Sequence, residues 1–481
     1  MSSRLVNVGA SPIASFLTEE DVPERASRAP WASETPHKAA SEAEILAIGE
    51  PRAYGFKFYD FATTDVSAIL SFMQEGSLYA VGIDIGTTTV RAVVAHIDGA
   101  TGVPTIVGVG KAPNSGMRKG VVVNLNGPAQ AIDDALGEAE RMSGYQVDAA
   151  TISVNGAHIL STHADGMVAV GASDHEITRD DLHRIEEVAT LGKVPANREI
   201  LDVIPHAYKL DGQDNIKDPL GMTGTRLEID AHVISALTPY LINVQKAADT
   251  AKVHPNAVVT TAIAAAKAVL GEQQLENGVA VIDLGGATTG IAVYEEGDLQ
   301  YTGVIPIGGV NITNDLAIGL KTDPEVAEKI KLEHASAIAR TDNAGVSLKH
   351  DGEVLTFSTQ DIDEIVEARL EEIFEAIQLQ LKKAGRAGKL PSGIVLTGGG
   401  AQLKHIVEYA KNYFGLAARI GKPTGYGGVA DDIEKPSFAT AIGLMLIDAE
   451  RLATGPSHKK SNVSMKNAQG LVTKLFARFK A

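Results

Sequence analysis

Residues 79–96 read YAVGIDIGTTTVRAVVAH, and residues 279–297 read VAVIDLGGATTGIAVYEEG. Each stretch is an apolar strand-like run, an aspartate (Asp84 or Asp283), a turn of glycines and threonines, and a second apolar run. The turns suit phosphate, because glycine lets backbone N–H groups approach an anion and threonine hydroxyls add donors. Gly86, Thr87 and Thr88 supply these groups in the first turn, and Gly285, Gly286, Thr288 and Thr289 in the second. A carboxylate beside each turn would repel a bare phosphate. Asp84 and Asp283 therefore imply a bridging cation or its water shell, and they are the candidates for positioning metal and water in any catalysis. One such turn alone is an ordinary hairpin. Two copies about 200 residues apart read as a duplicated domain whose halves face each other across a cleft.

A third unit follows at residues 392–415, SGIVLTGGGAQLKHIVEYAKNYFG. It reads as a strand, the glycines Gly398, Gly399 and Gly400, and a helix beginning near Ala401. The glycines would let a planar base and ribose lie close to backbone. From Leu78 onward strand-like and helix-like segments alternate, which predicts an α/β architecture. Residues 128–144 carry Ile132, Leu136 and Ala139 or Glu140 at helical spacing. Residues 160–238 differ in texture and read as a small inserted α+β unit, with one acidic helix whose Thr178 and Asp181 stand at capping-box spacing. Ile362, Ile365, Val366, Leu370, Ile373, Phe374, Ile377 and Leu381 predict a long helix with a solvated acidic face.

The order Asp84-Ile-Gly-Thr-Thr, Asp283-Leu-Gly-Gly-Ala-Thr-Thr and Leu396-Thr-Gly-Gly-Gly resembles the two phosphate motifs and the adenosine motif of the actin/Hsp70/sugar-kinase ATPase superfamily. Within it the chain is similar to the FtsA family of actin-like bacterial division proteins. Lys119-Gly120-Val121-Val122, residues 202–235, VIPIGGVNITNDLAIGL (304–320), AEKIKLEHA (327–335) and SFATAIGL (437–444) carry the closer match. The resemblance implies an actin-like (ribonuclease H-like) duplicated α/β fold around a nucleotide cleft. On this scheme residues 78–159 and 239–278 form subdomain 1A, and 160–238 an inserted, SHS2-like subdomain 1C. Residues 279–308 and 393–450 form subdomain 2A, and 309–392 subdomain 2B. Residues 1–77 read as a disordered extension rich in Glu, Ala, Ser and Pro, with Met73 a candidate true start.

The resemblance also implies ATP and Mg2+ as ligands. Asp84, Gly86, Thr87 and Thr88 would hold the β- and γ-phosphates and the metal, while Asp283, Gly285, Gly286, Thr288 and Thr289 form the opposing loop. Gly308, Gly309 and Asn311 match an interdomain connection near the nucleotide. Glu328 and Lys331, at i,i+3 on a predicted helix, match adenosine contacts; on spacing alone they read as a surface ion pair. Two departures stand out: Ala287 and Gly290 replace a glycine and an aspartate usual in the second loop, and Thr89 a lysine common in the first. A lost carboxylate and a lost cation near the γ-phosphate predict nucleotide binding with weak or no hydrolysis.

The net charge of −17 argues against nucleic acid, whose phosphates it would repel. Cysteine is absent, so disulfides and thiolate chemistry are excluded. No apolar run approaches the roughly 18 residues of a membrane span, and no secretory signal is recognisable. The 13 histidines show no metal-ligand spacing. After Glu450 the chain holds no acid. Residues 451–467 read as a flexible polar linker to the closing stretch GLVTKLFARFKA. In 468–481, Leu471, Val472, Leu475, Phe476 and Phe479 fall within an arc of about 140°, with Lys474, Arg478 and Lys480 outside it. That pattern predicts an amphipathic helix completed by an anionic lipid surface, where each cation contributes about 1 kcal/mol. A helix docked on the chain's own core is the other reading.

By resemblance, the partners are the FtsZ C-terminal peptide on subdomain 2B, anionic membrane lipids, further copies in actin-like filaments, and downstream divisome proteins, all at the cytoplasmic side of the membrane at the division site. Lys329, Lys331 and Arg340 are cations that could meet an acidic peptide. Two alternatives stay open: a pilus-assembly protein of the PilM type, and a sugar kinase of the same superfamily, which would need a carboxylate base not evident in the first domain.

Overall fold

The computed structural model describes residues 78–453 except 100, 172–173, 341–343 and 429–432. The expected extension (1–77) and the tail residues Leu471, Val472, Lys474, Leu475, Phe476, Arg478, Phe479 and Lys480 lie outside the described residues.

The first apolar runs form β1 (Leu78–Ile85) and β2 (Thr89–Ile97), antiparallel with Asp84 opposite Arg91. β3 (Pro104–Pro113) extends the sheet, and a short hairpin of β4 (Met117–Arg118) and β5 (Val121–Val122) leads to helix α1 (Asn126–Ser143). α1 buries Ile132, Leu136 and Ala139, as their spacing predicts. It lies so close to β3 that a Cβ on Gly110 would stand 1.9 Å from the Ala135 carbonyl oxygen. β6 (Ala149–Val154) runs parallel to β1.

The chain then leaves this sheet for a four-stranded antiparallel one. Its strands are β7 (Leu160–Ala169), β8 (Arg198–Leu210), β9 (Gln213–Ile216) and β10 (Arg226–Leu237), in spatial order β7-β10-β8-β9. Helix α2 (Arg179–Thr190) covers one face. Its capping box forms as the spacing predicts: Thr178 Oγ1 accepts from Asp181 N, and Asp181 Oδ2 accepts from Thr178 N at 3.0 Å. Helix α3 (Thr238–Thr250) returns the chain to β11 (His254–Thr260), parallel to β6, completing the first sheet in order β11-β6-β1-β2-β3.

Helices α4 (Thr261–Val269) and α5 (Glu272–Asn277) lead into the second half. There β12 (Val279–Leu284), β13 (Thr289–Glu295) and β14 (Asp298–Ile305) repeat the first three strands. Helices α6 (Gly309–Gly319) and α7 (Pro324–Glu333), the hairpin β15 (Gly345–His350) and β16 (Glu353–Ser358), and helix α8 (Thr359–Lys383) follow. α8 buries the predicted apolar series except Ile365, which is half-buried, and adds a buried acid, Asp363. β17 (Ile394–Thr397) and, after helix α9 (Ile406–Phe414), β18 (Ala418–Ile420) complete a sheet ordered β14-β13-β12-β17-β18. Both five-stranded sheets thus place the parallel partner beside the aspartate strand, the duplication predicted from the two turns.

The helix expected from Ala401 starts later, at Ile406. Gly399–Gln402 forms a single 3-10 turn, and His405 in the left-handed region (φ 61°) breaks the run. The last described helix, α10 (Ala439–Ala453), continues past residue 451, where linker was expected. It packs back on the first sheet: Asp448 accepts from Val81 N (3.0 Å) and Thr151 Oγ1 (2.8 Å). α4 and α10 cross closely, a Cβ on Gly443 falling 1.7 Å from the Ala264 carbonyl oxygen. Among the described residues, no helix is long and apolar enough to cross a membrane.

Candidate functional site

The two glycine–threonine turns meet. A Cβ on Gly286 would lie 2.5 Å from Thr88 Oγ1, so the second loop can rest on the first only because residue 286 lacks a side chain. Asn155, just past β6, adds a bridge by donating its Nδ2 hydrogen to Thr288 Oγ1 over 2.9 Å. Each loop is also held from its own side. Asn114 Nδ2 donates to the Gly86 carbonyl (2.7 Å), and Gly120 N donates to Thr87 Oγ1 (3.0 Å). Gly285 N donates to the Thr288 carbonyl (2.9 Å), closing the second turn.

The start of α6 buttresses the second loop. Gly309 N donates to the Gly285 carbonyl (3.0 Å) and Val310 N to the Gly286 carbonyl (2.6 Å). Gly308 packs so tightly that a Cβ would meet Gly285 O at 2.6 Å. Asn311 caps α6, its Oδ1 accepting from Gly308 N at 3.1 Å. Glu328 and Lys331 are more than a surface ion pair: Lys331 Nζ contacts Glu328 (2.6 Å), Thr313 Oγ1 (2.8 Å) and the Gly309 carbonyl (3.2 Å). Thr313 Oγ1 donates to Glu328 as well, tying α7 to the first turn of α6.

Of the third glycine run, Gly398 (φ 80°) presses on Asp283, where a Cβ would stand 2.5 Å from Oδ1, and Gly400 on Leu284. Gly399 alone faces open space, with nothing within 4 Å of a Cβ. Thr289 turns away from the cleft; it is fully buried and its hydroxyl donates to the Ile307 carbonyl at 2.9 Å.

Both aspartates are buried. Burial raises the Asp84 carboxyl above its ordinary range, opposed by Arg91 and by Ser153, whose Oγ donates to Asp84 Oδ1 at 3.1 Å. Asp283 is pushed up to about 7, by burial first and then by the charge of Asp84, with Thr261 and Arg91 opposing. Two buried carboxylates whose proton affinity burial raises, Asp283 further by the charge of Asp84, are a donor set a hard cation would satisfy. Beside them lie closely approached backbone and threonine hydroxyls, the chemistry of a phosphate cradle. The residues therefore fit a nucleotide with its divalent ion. Among the described residues no group of three or more acids or histidines converges as a metal site.

At Gly290 a Cβ would crowd Thr261 Oγ1 and Ala262 Cβ at 3.2 Å, so the first turn of α4 occupies the space a side chain would need. Ser153, Asn155, Asn114 and Thr313 were not anticipated; each is a polar residue at the end of a strand or helix turn, with a partner distant in sequence.

The inserted unit matches a family model described as the SHS2 domain inserted in FTSA, over residues 156–235. A second model, cell division protein FtsA, matches residues 280–443. The cell division protein FtsA of Pseudomonas aeruginosa is 35% identical over 399 residues, which is 82% of this chain and 95% of that protein. The chain belongs to the FtsA family. The FtsA of Bacillus subtilis is 36% identical over 377 residues (78% of this chain, 84% of that one). The Escherichia coli FtsA is 32% identical over 395 residues (80% and 93%). Among solved structures, a PilM-PilN type IV pilus biogenesis complex aligns with a TM-score of 0.58 over 78% of this chain and 100% of that one. At 16% identity that is a likeness of fold, and it supports the actin-like architecture of this FtsA-family chain.

Proposed function

We propose that this FtsA-family protein binds ATP with Mg2+ between its two loops and links the FtsZ ring to the cytoplasmic face of the cell membrane at the division site. The observation that carries the nucleotide reading is the pair of buried aspartates, Asp84 and Asp283, set behind touching glycine–threonine loops. Gly86, Thr87, Thr88, Gly285, Gly286 and Thr288 would cradle the phosphates. Gly308 and Gly309 would brace the second loop from behind, Gly399 would offer open backbone, and Glu328 and Lys331 would flank the base. Bound ATP supplies triphosphate charge and a divalent ion; the chain's part is to hold both loops and keep water out. The absence of an acid at Gly290 and of a cation at Thr89 supports slow hydrolysis, with nucleotide acting on conformation and on self-association into filaments.

Attachment to anionic lipid would come from the tail, through Leu471, Val472, Leu475, Phe476 and Phe479 and the cations Lys474, Arg478 and Lys480. The FtsZ C-terminal peptide would dock on residues 309–392. Of the three cations considered, Arg340 is committed to buried Asp363 and Lys331 to Glu328. Exposed Lys329, beside Leu332 at 70% exposure, is the better contact. A shallow cavity of about 590 Å³ near the β15–β16 turn carries Asp323, Asp351 and Glu353 against Lys321 and His350, a charge balance that suits an acidic peptide poorly. Downstream divisome proteins would then be recruited to the assembled ring.

Titration calorimetry with Mg·ATP tests the cleft; no heat of binding would reject it. Co-sedimentation with anionic liposomes, with and without residues 468–481, tests the tail. Binding that survives truncation would overturn the tail's role, and failure to bind an FtsZ C-terminal peptide would favour the PilM-type reading.

A further inference from the structure

The chain leaves the first sheet for the inserted unit between β6 and β7, and returns where β10 runs into α3. Arg198, at the start of β8, ties the two crossings together. Its Nη2 donates to the His158 carbonyl on the outgoing crossing and to the Ser235 carbonyl (2.8 Å) on the returning strand. Its Nε donates to Ser235 Oγ at 3.0 Å. These three acceptors are uncharged, so the guanidinium serves here through its rigid fork of donors rather than through an ion pair.

The outgoing crossing also meets the cleft. Asn155 is held at both ends of its amide: Oδ1 accepts from Gly156 N (2.8 Å), while Nδ2 donates to Thr288 Oγ1 in the second loop (2.9 Å). His158 turns back on the same residue. It is buried, and its Nε2 lies 3.1 Å from the Asn155 carbonyl oxygen. A carbonyl only accepts, so that nitrogen carries the proton. The imidazole packs on Tyr240 of α3, with 4.9 Å between ring centroids. The turn depends on Gly156 (φ 124°), where a Cβ would stand 2.9 Å from His158 Cδ2. From the other side Gly120 presses on it: a Cβ there would lie 2.8 Å from Gly156 N, and Gly120 N donates to Thr87 Oγ1 of the first loop (3.0 Å). Residues 155–158 thus touch the second loop directly, the first through Gly120, and the inserted unit through Arg198.

We propose that Arg198 and His158 are positioning residues of the cleft: by fixing the 155–158 turn they hold the Asn155 amide on Thr288, so the seating of the inserted unit sets how the two loops meet. The inference rests on the nucleotide reading only for what the loops hold. A hydrogen bond between side chains on two sheets forms at the cost of ordering both partners. Arg198 and His158 meet that cost beforehand on the Asn155 side. A shift of the inserted unit that drags Arg198 moves the His158 carbonyl, and with it the turn that carries Asn155.

The test is hydrogen–deuterium exchange of the full chain without nucleotide, read by mass spectrometry on peptides covering residues 280–290, where Gly285 N donates to the Thr288 carbonyl. Asn155→Ala should speed exchange there about fivefold, the effect of one lost hydrogen bond. Arg198→Met keeps the length of the side chain, removes its donors and should act in the same direction. The double variant should exchange no faster than Asn155→Ala alone, because both changes break one chain of contacts. His158→Phe keeps a ring on Tyr240, loses the donor and should resemble Arg198→Met, whereas His158→Gln, whose Nε2 can still donate, should stay near wild type. The His158 pair decides the matter if Arg198→Met fails to fold. Exchange at 280–290 that is unchanged in either Arg198→Met or His158→Phe overturns the proposal, as does a double variant whose effects add. Faster exchange confined to residues 160–237 would mean that Arg198 only holds the inserted unit together, and would overturn it. His158→Gln exchanging faster than His158→Phe would assign the effect to ring packing and would also overturn it. No arm contains nucleotide, so failure of ATP binding would leave the result standing.

Discussion

Asn155 Nδ2 reaches Thr288 Oγ1 over 2.9 Å, so a residue at the end of a first-sheet strand holds a hydroxyl of the second sheet's loop. This bond spans the cleft itself. Asn155→Ala removes it without touching either aspartate. One such hydrogen bond contributes about 1 kcal/mol, which corresponds to a loss of about fivefold in Mg·ATP affinity by calorimetry if the bond persists in the bound state.

Gly286 and Thr88 give a sharper steric test. In Gly286→Ala the new Cβ would lie 2.5 Å from Thr88 Oγ1 and 2.7 Å from its Cγ2. The loops must then separate, and Mg·ATP affinity should fall by more than tenfold. Thr88→Gly in the same chain removes both obstructing atoms and should recover part of the loss.

Arg340 and Lys329 should part company under mutation. Arg340 makes a bidentate pair with Asp363, which is 0% exposed: Nε to Oδ2 at 2.6 Å and Nη2 to Oδ1 at 3.0 Å. Arg340→Ala leaves that carboxylate buried and uncompensated, at a cost of roughly 3–5 kcal/mol in urea unfolding. Lys329→Ala should leave stability unchanged and weaken binding of an acidic FtsZ peptide, as read by fluorescence anisotropy.

His232 predicts a pH dependence in the inserted unit. Burial, then the charges of His206 and His163, push its pKa from 6.5 down to about 4. Between those values the unfolded chain takes up a proton that the folded one declines. Stability is therefore lost as pH falls through this window. His232→Gln should flatten the difference between urea midpoints measured at pH 7 and pH 5.

The duplicated fold was legible because each loop writes its chemistry within a few consecutive residues. The Thr178–Asp181 box and the apolar series of α8 were legible for the same reason: helix geometry links positions three and four apart. What escaped was contact between distant positions. Nothing near Asn155 announces a partner 133 residues away, and Ser153 meets Asp84 across 69. The late start of α9 escaped because glycines permit both a 3-10 turn and a helix, and the break depends on the backbone of His405. The β15–β16 hairpin turns on Asp351 and Gly352, both at positive φ (48° and 86°), an Asp-Gly signal present in the sequence and left unused.

Helix α10 begins beside the connector that grips the second half and ends bound to the first, where Asp448 holds Val81 and Thr151 and Arg451 donates to the Asn256 carbonyl. Whatever follows Ala453 is therefore leashed to the first half. If the tail grips lipid while a partner tugs on residues 309–392, the load passes through the crossing of α4 and α10, with Gly443 against Ala264 as its fulcrum. Tension between membrane and ring would then pry at the cleft proposed to hold the nucleotide.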